Sequence, residues 1–336
     1  MQHLKYPAMI LAATAFVTQT AWASESLDIP VTTGGNTATR HLNFYAPTGL
    51  SHPPMVIVMH GAGGNGDNLA ETWGWDVIAE REKILIVTPS GINAQWVIWG
   101  DDDVNFVKAI IETMASRYDI DRNRVYASGW SMGGMMSYYL ACHAPELIAA
   151  IGPSSGYLLY GQSGCSTAHN VPIYHVHGIW DDFVKYSNLH DYLNNNWINA
   201  FGCPTTADTS DAGTRPDPNT PGTTLREYWG PCAKDGKSSE IYLESYWKGH
   251  SYGNQETEVI WNFLKNYSLT ERYPGVAVFQ YGAFKGRMNR LVRGSYPHTL
   301  MNAVGIPDGV MTSLQVDPGL KVELFSNDDF TNPLAT

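Results

Sequence analysis

One stretch decides the fold of this chain: Arg124-Val-Tyr-Ala-Ser-Gly-Trp-Ser-Met-Gly-Gly134. Its first five residues predict a strand, and the Met- and Tyr-rich run that ends at His143 predicts a helix. Between them lies a G-x-S-x-G pattern, which is typical of a serine held on a sharp turn with its hydroxyl clear of the backbone. The pattern therefore predicts that Ser131 is a nucleophile.

Strand and helix patterns alternate along the chain on both sides of this turn. The predicted strands are Met55–Met59, Ile84–Thr88, Arg124–Ser128, Ala149–Ile151, Ile173–His177 and Ile241–Tyr246. The predicted helices are Trp73–Arg81, Val104–Tyr118, Met132–His143 and Val259–Tyr267. Such alternation predicts an α/β fold with a mostly parallel sheet that helices cover on both faces. Ligands bind beyond the carboxyl ends of the strands in these sheets, and the motifs lie at those ends.

A serine hydroxyl is a weak nucleophile and needs a base to activate it. When the serine lies in a G-x-S-x-G turn, the acid and then the histidine follow it along the chain. His250 follows the last predicted strand and precedes the last predicted helix. It is the only one of the eleven histidines in the late loop where a base is expected, so we predict that His250 is the base.

The acid is expected just after the strand that ends at His177. Asp181 and Asp182 both lie there, and spacing alone does not choose between them. The histidines of the strand itself, His175 and His177, are expected to have a packing role.

Two backbone amides are candidates for an oxyanion hole. The first is the N–H of Met132, because the N-terminus of the helix after Ser131 points towards the developing negative charge. The second is the N–H of Ala62 in His60-Gly-Ala-Gly-Gly64, where the glycines let the backbone turn inward.

The first 23 residues predict a signal peptide. Lys5 gives a positive start, Ala8–Val17 is a short apolar run, and Ala21-Trp22-Ala23 offers small residues for cleavage before Ser24. No run is long enough to span a bilayer. The net charge of −11 argues against a nucleic-acid partner, because phosphates need Lys and Arg. We therefore expect a secreted protein that binds neither nucleic acid nor membrane.

The chain has four cysteines, at positions 142, 165, 203 and 232. No C-x-x-C pair favours a zinc or redox motif. Sequential pairing, Cys142–Cys165 and Cys203–Cys232, is preferred among the three connectivities, because each bond then closes a modest loop around irregular sequence.

Several motifs together resemble the secreted polyhydroxybutyrate depolymerase and feruloyl esterase family, which overlaps the carbohydrate esterases of xylan. They are His60–Gly64, Gly74-Trp75-Asp76, Asp102–Phe106, Arg124–Gly134, His177-Gly178 with Asp181 and Val184, and Gly249-His250. The resemblance covers residues 42–267. It implies an α/β-hydrolase fold, a Ser-Asp-His triad, an ester substrate and no cofactor or metal.

The resemblance also chooses between the two aspartates. The family's acid is the fifth residue of a His-Gly-x-x-Asp block, which is Asp181 here. Trp180 and Lys185 depart from the family pattern, which usually has a small residue and a proline at these positions. The placement of Cys203 and Cys232 matches the family.

The substrate is less well defined by the sequence. Five tryptophans are candidates for lining a cleft: Trp96, Trp99, Trp130, Trp180 and Trp229. Trp130 and Trp180, which flank the predicted catalytic residues, are preferred, with Trp99 next. Aromatic stacking favours feruloyl-type aryl esters of the plant cell wall, with polyhydroxybutyrate and acetylated xylan as alternatives. An inactive carbohydrate-binding protein of the same fold, a peptidase and an acyltransferase are the alternatives of other classes.

Residues 273–336 differ in character from residues 24–268, the predicted catalytic domain, because they contain strand patterns without helices. Phe279 with Phe284-Lys285-Gly286 resembles the Greek-key signature of βγ-crystallin-like modules, and 324–332 resembles the start of a second key. Asp308–Ser313 partly matches the calcium stretch of that family. We expect a small, incomplete all-β segment that binds polysaccharide or calcium.

Overall fold

A computed structural model describes most of the chain. The described residues are 24–158, 171–209, 224–234, 237–269, 275–281, 285–292, 312–316, 321–326, 329–331 and 333–335. The predicted signal peptide, Cys165, Phe284 and residues 308–311 of the calcium-like stretch lie outside them.

Nine strands form one mixed sheet. They are β1 (Glu25–Thr33), β2 (Asn36–Tyr45), β3 (Met55–Met59), β4 (Leu85–Pro89), β5 (Val125–Trp130), β6 (Ala150–Ser154), β7 (Ile173–Gly178), β8 (Thr224–Lys234) and β9 (Lys237–Tyr246). Their order is β1-β2-β4-β3-β5-β6-β7-β9-β8. The six strands from β4 to β9 in that order run parallel, and β1, β2 and β8 are antiparallel additions at the two edges. The predicted α/β fold with a mostly parallel sheet is confirmed.

Within the described ranges, six α-helices cover the two faces of the sheet. They are α1 (Leu69–Thr72), α2 (Trp75–Glu82), α3 (Asp102–Tyr118), α4 (Met132–His143), α5 (Leu189–Leu193) and α6 (Asn254–Leu264). Short 3₁₀ turns lie at Ile92–Ala94 and Tyr186–Asn188, and one π-helical turn lies at Asn194–Ile198.

Alternate residues of the strands enter two separate cores. In β3, Met55, Ile57 and Met59 pack with α3, α4 and α5, whereas Val56 and Val58 pack with α1, α2 and α6. A strand that is buried on both faces needs an unbroken apolar sequence, which is why Met55–Met59 has one.

Several predicted boundaries were wrong. The helix predicted over 73–81 begins only at Trp75, because Gly74, with φ +74°, separates it from the short helix α1. Strand β5 continues through Gly129 and Trp130, which pair with Pro153 and Ser154 of β6. Helix α6 begins at Asn254, earlier than predicted, because its polar first turn is fixed by the Glu256 carboxylate, which accepts the Gly253 N–H at 2.7 Å.

Two small sheets follow the nine-stranded one along the chain. Strands β10 (Gly275–Tyr281), β11 (Lys285–Val292) and β12 (Ser313–Val316) pair antiparallel, and β13 (Leu324–Phe325) pairs with β14 (Pro333–Ala335). The Greek-key resemblance of this segment stays a prediction.

One disulfide lies within the described part of the chain. It joins Cys203, after the π-helical turn, to Cys232 in β8, as the sequential pairing predicts. The other predicted pair, Cys142–Cys165, lies outside the described residues because Cys165 does. Among the helices that the structure describes, none is both long and apolar enough to cross a membrane.

Candidate active site

Ser131 lies on a strained turn between β5 and α4. Its backbone adopts φ 56° and ψ −119°, a region that is unfavourable for a residue with a side chain. The Ser131 N–H is held by the Ser154 carbonyl of the neighbouring strand at 2.9 Å. Close packing explains the glycines of the motif, since a Cβ at Gly133 would lie 2.0 Å from the Met59 carbonyl oxygen.

The structure brings Ser131, His250 and Asp181 together. The Ser131 hydroxyl donates to His250 Nε2 at 2.8 Å, and His250 Nδ1 donates to Asp181 Oδ2 at 2.7 Å. The carboxylate can only accept, so Nδ1 carries the proton of the neutral ring and Nε2 is left as the acceptor. Asp182, the alternative acid, is exposed.

Asp181 is a buried and well-bound carboxylate. Its Oδ1 accepts the backbone N–H groups of Phe183 at 3.0 Å and Val184 at 2.9 Å. Burial alone would raise the pKa of Asp181. His177 Nε2, 3.3 Å from Oδ2, together with hydrogen bonds from His250 and from the Val184 amide, outweighs burial and lowers the pKa of Asp181 below its usual range. The Asp181 carboxylate is therefore ionised at neutral pH, where its negative charge can orient the His250 ring.

Two aromatic rings contact the imidazole of His250. The Trp130 indole lies 4.8 Å away between centroids, and the Phe183 ring lies 5.5 Å away. Trp130 is half-buried, whereas Phe183 is 84% exposed. The sequence pattern did not single out Phe183, because an exposed aromatic in a loop belongs to no periodic pattern.

The glycine-rich loop after β3 packs against the nucleophile. A Cβ at Gly61 would lie 2.6 Å from the Trp130 ring and 3.3 Å from Ser131 Cβ. The predicted oxyanion donor Ala62 is the next residue, and none of the backbone hydrogen bonds among the described residues uses its N–H. The other predicted donor, Met132, is the first residue of α4, and the first N–H groups of a helix have no acceptor within it.

The loop is anchored by the buried side chain of His60. The Gly91 N–H donates to His60 Nε2 at 2.9 Å, so Nδ1 carries the proton and donates to the Gly61 carbonyl at 2.7 Å. Burial lowers the pKa of His60 and keeps the ring neutral. The Trp96 indole N–H donates to the His60 carbonyl at 2.8 Å.

The candidate tryptophans separate into three groups. Trp96 and Trp229 are 1% and 3% exposed, so the expectation that they line a cleft was wrong; both fill the core. Trp130 lies beside His250. Trp180 and Trp99 are 58% and 73% exposed, and within the described ranges no ring contact joins Trp99 to the triad. Trp180 packs edge-on against Trp247 at 5.2 Å.

A buried ionic cluster holds the loop of His250. Glu256 accepts hydrogen bonds from the Ser154 hydroxyl, from the Gly253 N–H and from the Lys248 ammonium. Lys248 also donates to the Ser251 carbonyl at 2.6 Å. Burial lowers the pKa of Lys248, and the Glu256 carboxylate opposes that shift. The cluster ties the His250 loop to β6 and α6, and the sequence pattern did not predict it.

This fold, with a serine on the turn after the central strand and a hydrogen-bonded histidine and aspartate from later strands, defines an α/β-hydrolase. Residues 101–206 match the family described as Phospholipase/Carboxylesterase. The segment 101–206, which holds Ser131 and Asp181, is therefore similar to this family of α/β-hydrolases.

The curated relatives include proteins named as acetylxylan esterase and feruloyl esterase. The chain is 34% identical over 235 residues to "Bifunctional acetylxylan esterase/xylanase XynS20E" of Neocallimastix patriciarum. This alignment covers 69% of this chain and 34% of that protein. It is 32% identical over 170 residues to "Feruloyl esterase C" of Emericella nidulans, and that alignment covers 48% of this chain and 60% of the relative. The chain therefore spans less than two thirds of the length of these relatives.

A solved structure shares the fold. The acetyl xylan esterase from Aspergillus awamori superposes with a TM-score of 0.51 at 18% identity, over 67% of this chain and 94% of that one.

Proposed function

We propose that the chain is a serine carboxylic-ester hydrolase in which Ser131, His250 and Asp181 form the catalytic triad. The unbroken line of hydrogen bonds from the Ser131 hydroxyl through His250 to the Asp181 carboxylate carries this proposal. The strained serine and the depressed pKa of Asp181 support it, because perturbed groups concentrate at catalytic sites.

The reaction proceeds through an acyl-enzyme. His250 Nε2 takes the Ser131 proton while Oγ bonds to the ester carbonyl carbon, and Asp181 stabilises the imidazolium. The C–O bond to the alcohol then breaks, and His250 returns the proton to the leaving oxygen. His250 next takes a proton from water as the water oxygen attacks the acyl carbon. The bond from that carbon to Oγ then breaks, and His250 gives its proton to Oγ, which releases the acid and restores Ser131.

The N–H groups of Met132 and Ala62 are the proposed oxyanion donors. Their support is the free first turn of α4, the packing of the Gly61 backbone against Ser131, and the lack of an intramolecular use of the Ala62 N–H among the described hydrogen bonds. Loss of one such donor costs about 10²–10³-fold in kcat in other serine hydrolases.

The proposed substrates are esters of plant cell-wall polysaccharides, with feruloyl-type aryl esters first. Relatives named feruloyl esterase support the aryl ester, and Trp130 supplies an aromatic wall beside the nucleophile. Acetylated xylan is the second candidate, because the longest of the reported alignments is with a protein named for acetylxylan esterase. Trp180 and Trp99 are proposed polymer contacts because both indoles are exposed.

The leaving alcohol defines which side of the site faces the sugar. His250 must deliver its proton to the alcohol oxygen, so the alcohol half of the ester lies beside the His250 ring. Phe183 contacts that ring and projects into solvent. We therefore assign Phe183 to the sugar side of the substrate, where a ring face can stack on a pyranose or furanose.

Two further features belong to the same proposal. Secretion is supported by the predicted signal peptide and by the Cys203–Cys232 bond, because disulfides persist in oxidising compartments. Residues 273–336 are proposed to be a separate β-module for polysaccharide or calcium, for which the antiparallel pairing of β10, β11 and β12 is the support.

Ser131→Ala tests the catalytic proposal. The variant should lose hydrolysis of 4-nitrophenyl acetate and labelling by a fluorophosphonate, with an unchanged melting temperature. Ser116→Ala, on the exposed side of α3, is the control and should keep both. Near-normal turnover by Ser131→Ala would overturn the triad.

A panel of methyl ferulate, acetylated xylan and hydroxybutyrate oligomers, compared by kcat/KM, ranks the substrates.

A further inference from the structure

A second line of hydrogen bonds lies behind the proposed acid and is not used in the mechanism above. Tyr138 of α4 and the histidines His175 and His177 of β7 are all fully buried. The Tyr138 hydroxyl lies 2.9 Å from His175 Nδ1, and His175 Nε2 lies 2.8 Å from His177 Nδ1. The two imidazoles are two residues apart on one face of the strand and are nearly parallel, with 11° between their planes.

The line ends at the turn that carries Asp181. His177 Nε2 lies 2.8 Å from the Val184 carbonyl oxygen and 3.3 Å from Asp181 Oδ2. Asp181 Oδ2 is the atom that also accepts from His250. The same imidazole nitrogen of His177 therefore faces both the carboxylate and the backbone that follows it.

For a neutral His177 ring, the acceptors at its end of the line fix every proton. A carbonyl and a carboxylate only accept, so His177 Nε2 must carry a proton. In the neutral ring His177 Nδ1 then accepts, which requires a proton on His175 Nε2. His175 Nδ1 is left as an acceptor, and the Tyr138 hydroxyl must donate to it.

Burial supports this single arrangement of protons. It holds the pKa of His175 well below its usual range and the pKa of the Tyr138 phenol well above its own. His175 is therefore neutral, and Tyr138 keeps the proton that it donates.

We propose that Tyr138, His175 and His177 form a positioning line that fixes His177 as an Nε2–H donor and thereby aims the Asp181 carboxylate at His250. His177 is a positioning residue, since it acts on Ser131 only through Asp181 and His250. This inference rests on the proposed function. It replaces the expectation that His175 and His177 serve packing alone.

Two substitutions at His177 separate positioning from packing. His177→Leu fills similar space with an apolar side chain and removes the donor. The kcat for 4-nitrophenyl acetate should therefore fall about 100-fold, the scale expected when a catalytic group is misplaced by about 1 Å. KM should change less than twofold. His177→Gln offers an N–H near the position of Nε2 and should recover at least tenfold of that loss. Equal losses in the two variants would overturn the proposal.

Tyr138→Phe tests the far end of the line with a smaller perturbation. It should lower kcat about tenfold, because His175 is no longer held in one tautomer. Tyr126→Phe is the matched control. Tyr126 is equally buried and donates to the Tyr267 carbonyl at 2.8 Å, on the other face of the sheet. Both variants lose one buried hydrogen bond and should lose similar stability, but only Tyr138→Phe should lose kcat. An unchanged kcat in Tyr138→Phe would overturn the proposal.

Imidazole nitrogen NMR of the wild-type protein at neutral pH reads the tautomers directly. His175 and His177 should both carry their proton on Nε2, and a proton on His177 Nδ1 would overturn the assignment. This measurement needs no turnover. It therefore separates failure of the positioning line from failure of the proposed hydrolase activity, which Ser131→Ala tests.

Discussion

Gly156 lies directly against the carbonyl oxygen of Ser131, so that a Cβ built on Gly156 would stand 1.9 Å from that oxygen. Backbone of the loop after β6 thus packs against the backbone of the nucleophile turn. The strained φ of Ser131 is held by this contact as well as by the bond from its N–H to Ser154.

Gly156→Ala should therefore disable the proposed enzyme. The methyl group must displace the turn, and we expect kcat/KM for 4-nitrophenyl acetate to fall at least about 100-fold, together with a lower melting temperature. Gly100→Ala is the control, because its Cβ would meet nothing closer than 3.6 Å. If Gly156→Ala kept normal kinetics, the turn would not need its present geometry.

Asp181→Asn should leave the fold intact and lower kcat by about 10⁴-fold, as in serine hydrolases whose acid is changed to its amide. The amide stabilises the wrong tautomer of His250. Asp182→Asn, one residue further along and exposed, should change kcat less than twofold. Steady-state kinetics on both variants decides between the two aspartates, and a larger loss in Asp182→Asn would reverse their roles.

Buried neutral histidines should make the protein sensitive to acid. Burial lowers the pKa of His60 and of His175 in the folded chain, whereas the unfolded chain binds their protons below about pH 6.5. The unfolded state therefore holds more protons there. The free energy of unfolding should fall as the pH drops from 7 to 5, by at most about 1.4 kcal/mol per pH unit for each histidine.

Denaturant titrations at several pH values measure this slope. His60→Gln removes one of the two histidines and should give a shallower slope than the wild type over the same range. His41→Gln is the control, because the His41 side chain is 41% exposed. An unaltered slope in His60→Gln would show that His60 does not carry the effect.

Glu256→Gln should destabilise the chain strongly. The substitution leaves the Lys248 ammonium buried opposite a neutral amide, and breaking one side of a buried ion pair costs about 3–5 kcal/mol. The double variant Glu256→Gln/Lys248→Met removes both charges and should recover part of the loss. Chemical denaturation of the single and double variants measures the coupling. Additive losses would mean that the pair is not coupled in solution.

Phe183→Ala tests the assignment of the sugar side. We expect KM on acetylated xylan to rise about fivefold, which corresponds to about 1 kcal/mol, a typical value for one aromatic contact. Hydrolysis of 4-nitrophenyl acetate should change less than twofold. Val77→Ala removes another exposed apolar side chain, 62% exposed on α2, and should change neither. Equal effects on the polymer and the small ester would place Phe183 away from the sugar.

The central strands and the order of the site residues could be predicted, because both leave local signals. An apolar run such as Met55–Met59 indicates burial on two faces, and a glycine-framed serine indicates a sharp turn. The edge strands β1, β2 and β8 were missed. In β1, exposed residues such as Glu25 and Asp28 interrupt the apolar pattern. The strand is held instead by its antiparallel hydrogen bonds to β2, which the sequence does not show.

The supporting residues around the site depend on contacts that spacing cannot show. Asp181 points inward, where its Oδ1 accepts hydrogen bonds from two backbone N–H groups of its own turn. The sequence offers Asp182 as an equally plausible acceptor for such bonds, so spacing does not identify the acid. His177 and Lys248 lie in ordinary strand and loop sequence, and only the folded chain shows that they face Asp181 and Glu256.

The order of strands has a consequence for how the protein would gain its proposed activity as it folds. Ser131 and His250 are 119 residues apart in the chain, and they meet across the span β5-β6-β7-β9 of the sheet. Pairings between distant segments are slow to form. We therefore expect the loop of His250 to reach the serine only after β9 has paired with β7. In a refolding experiment, esterase activity should therefore return later than the circular dichroism signal of the helices. The return of turnover would then mark the completion of the sheet.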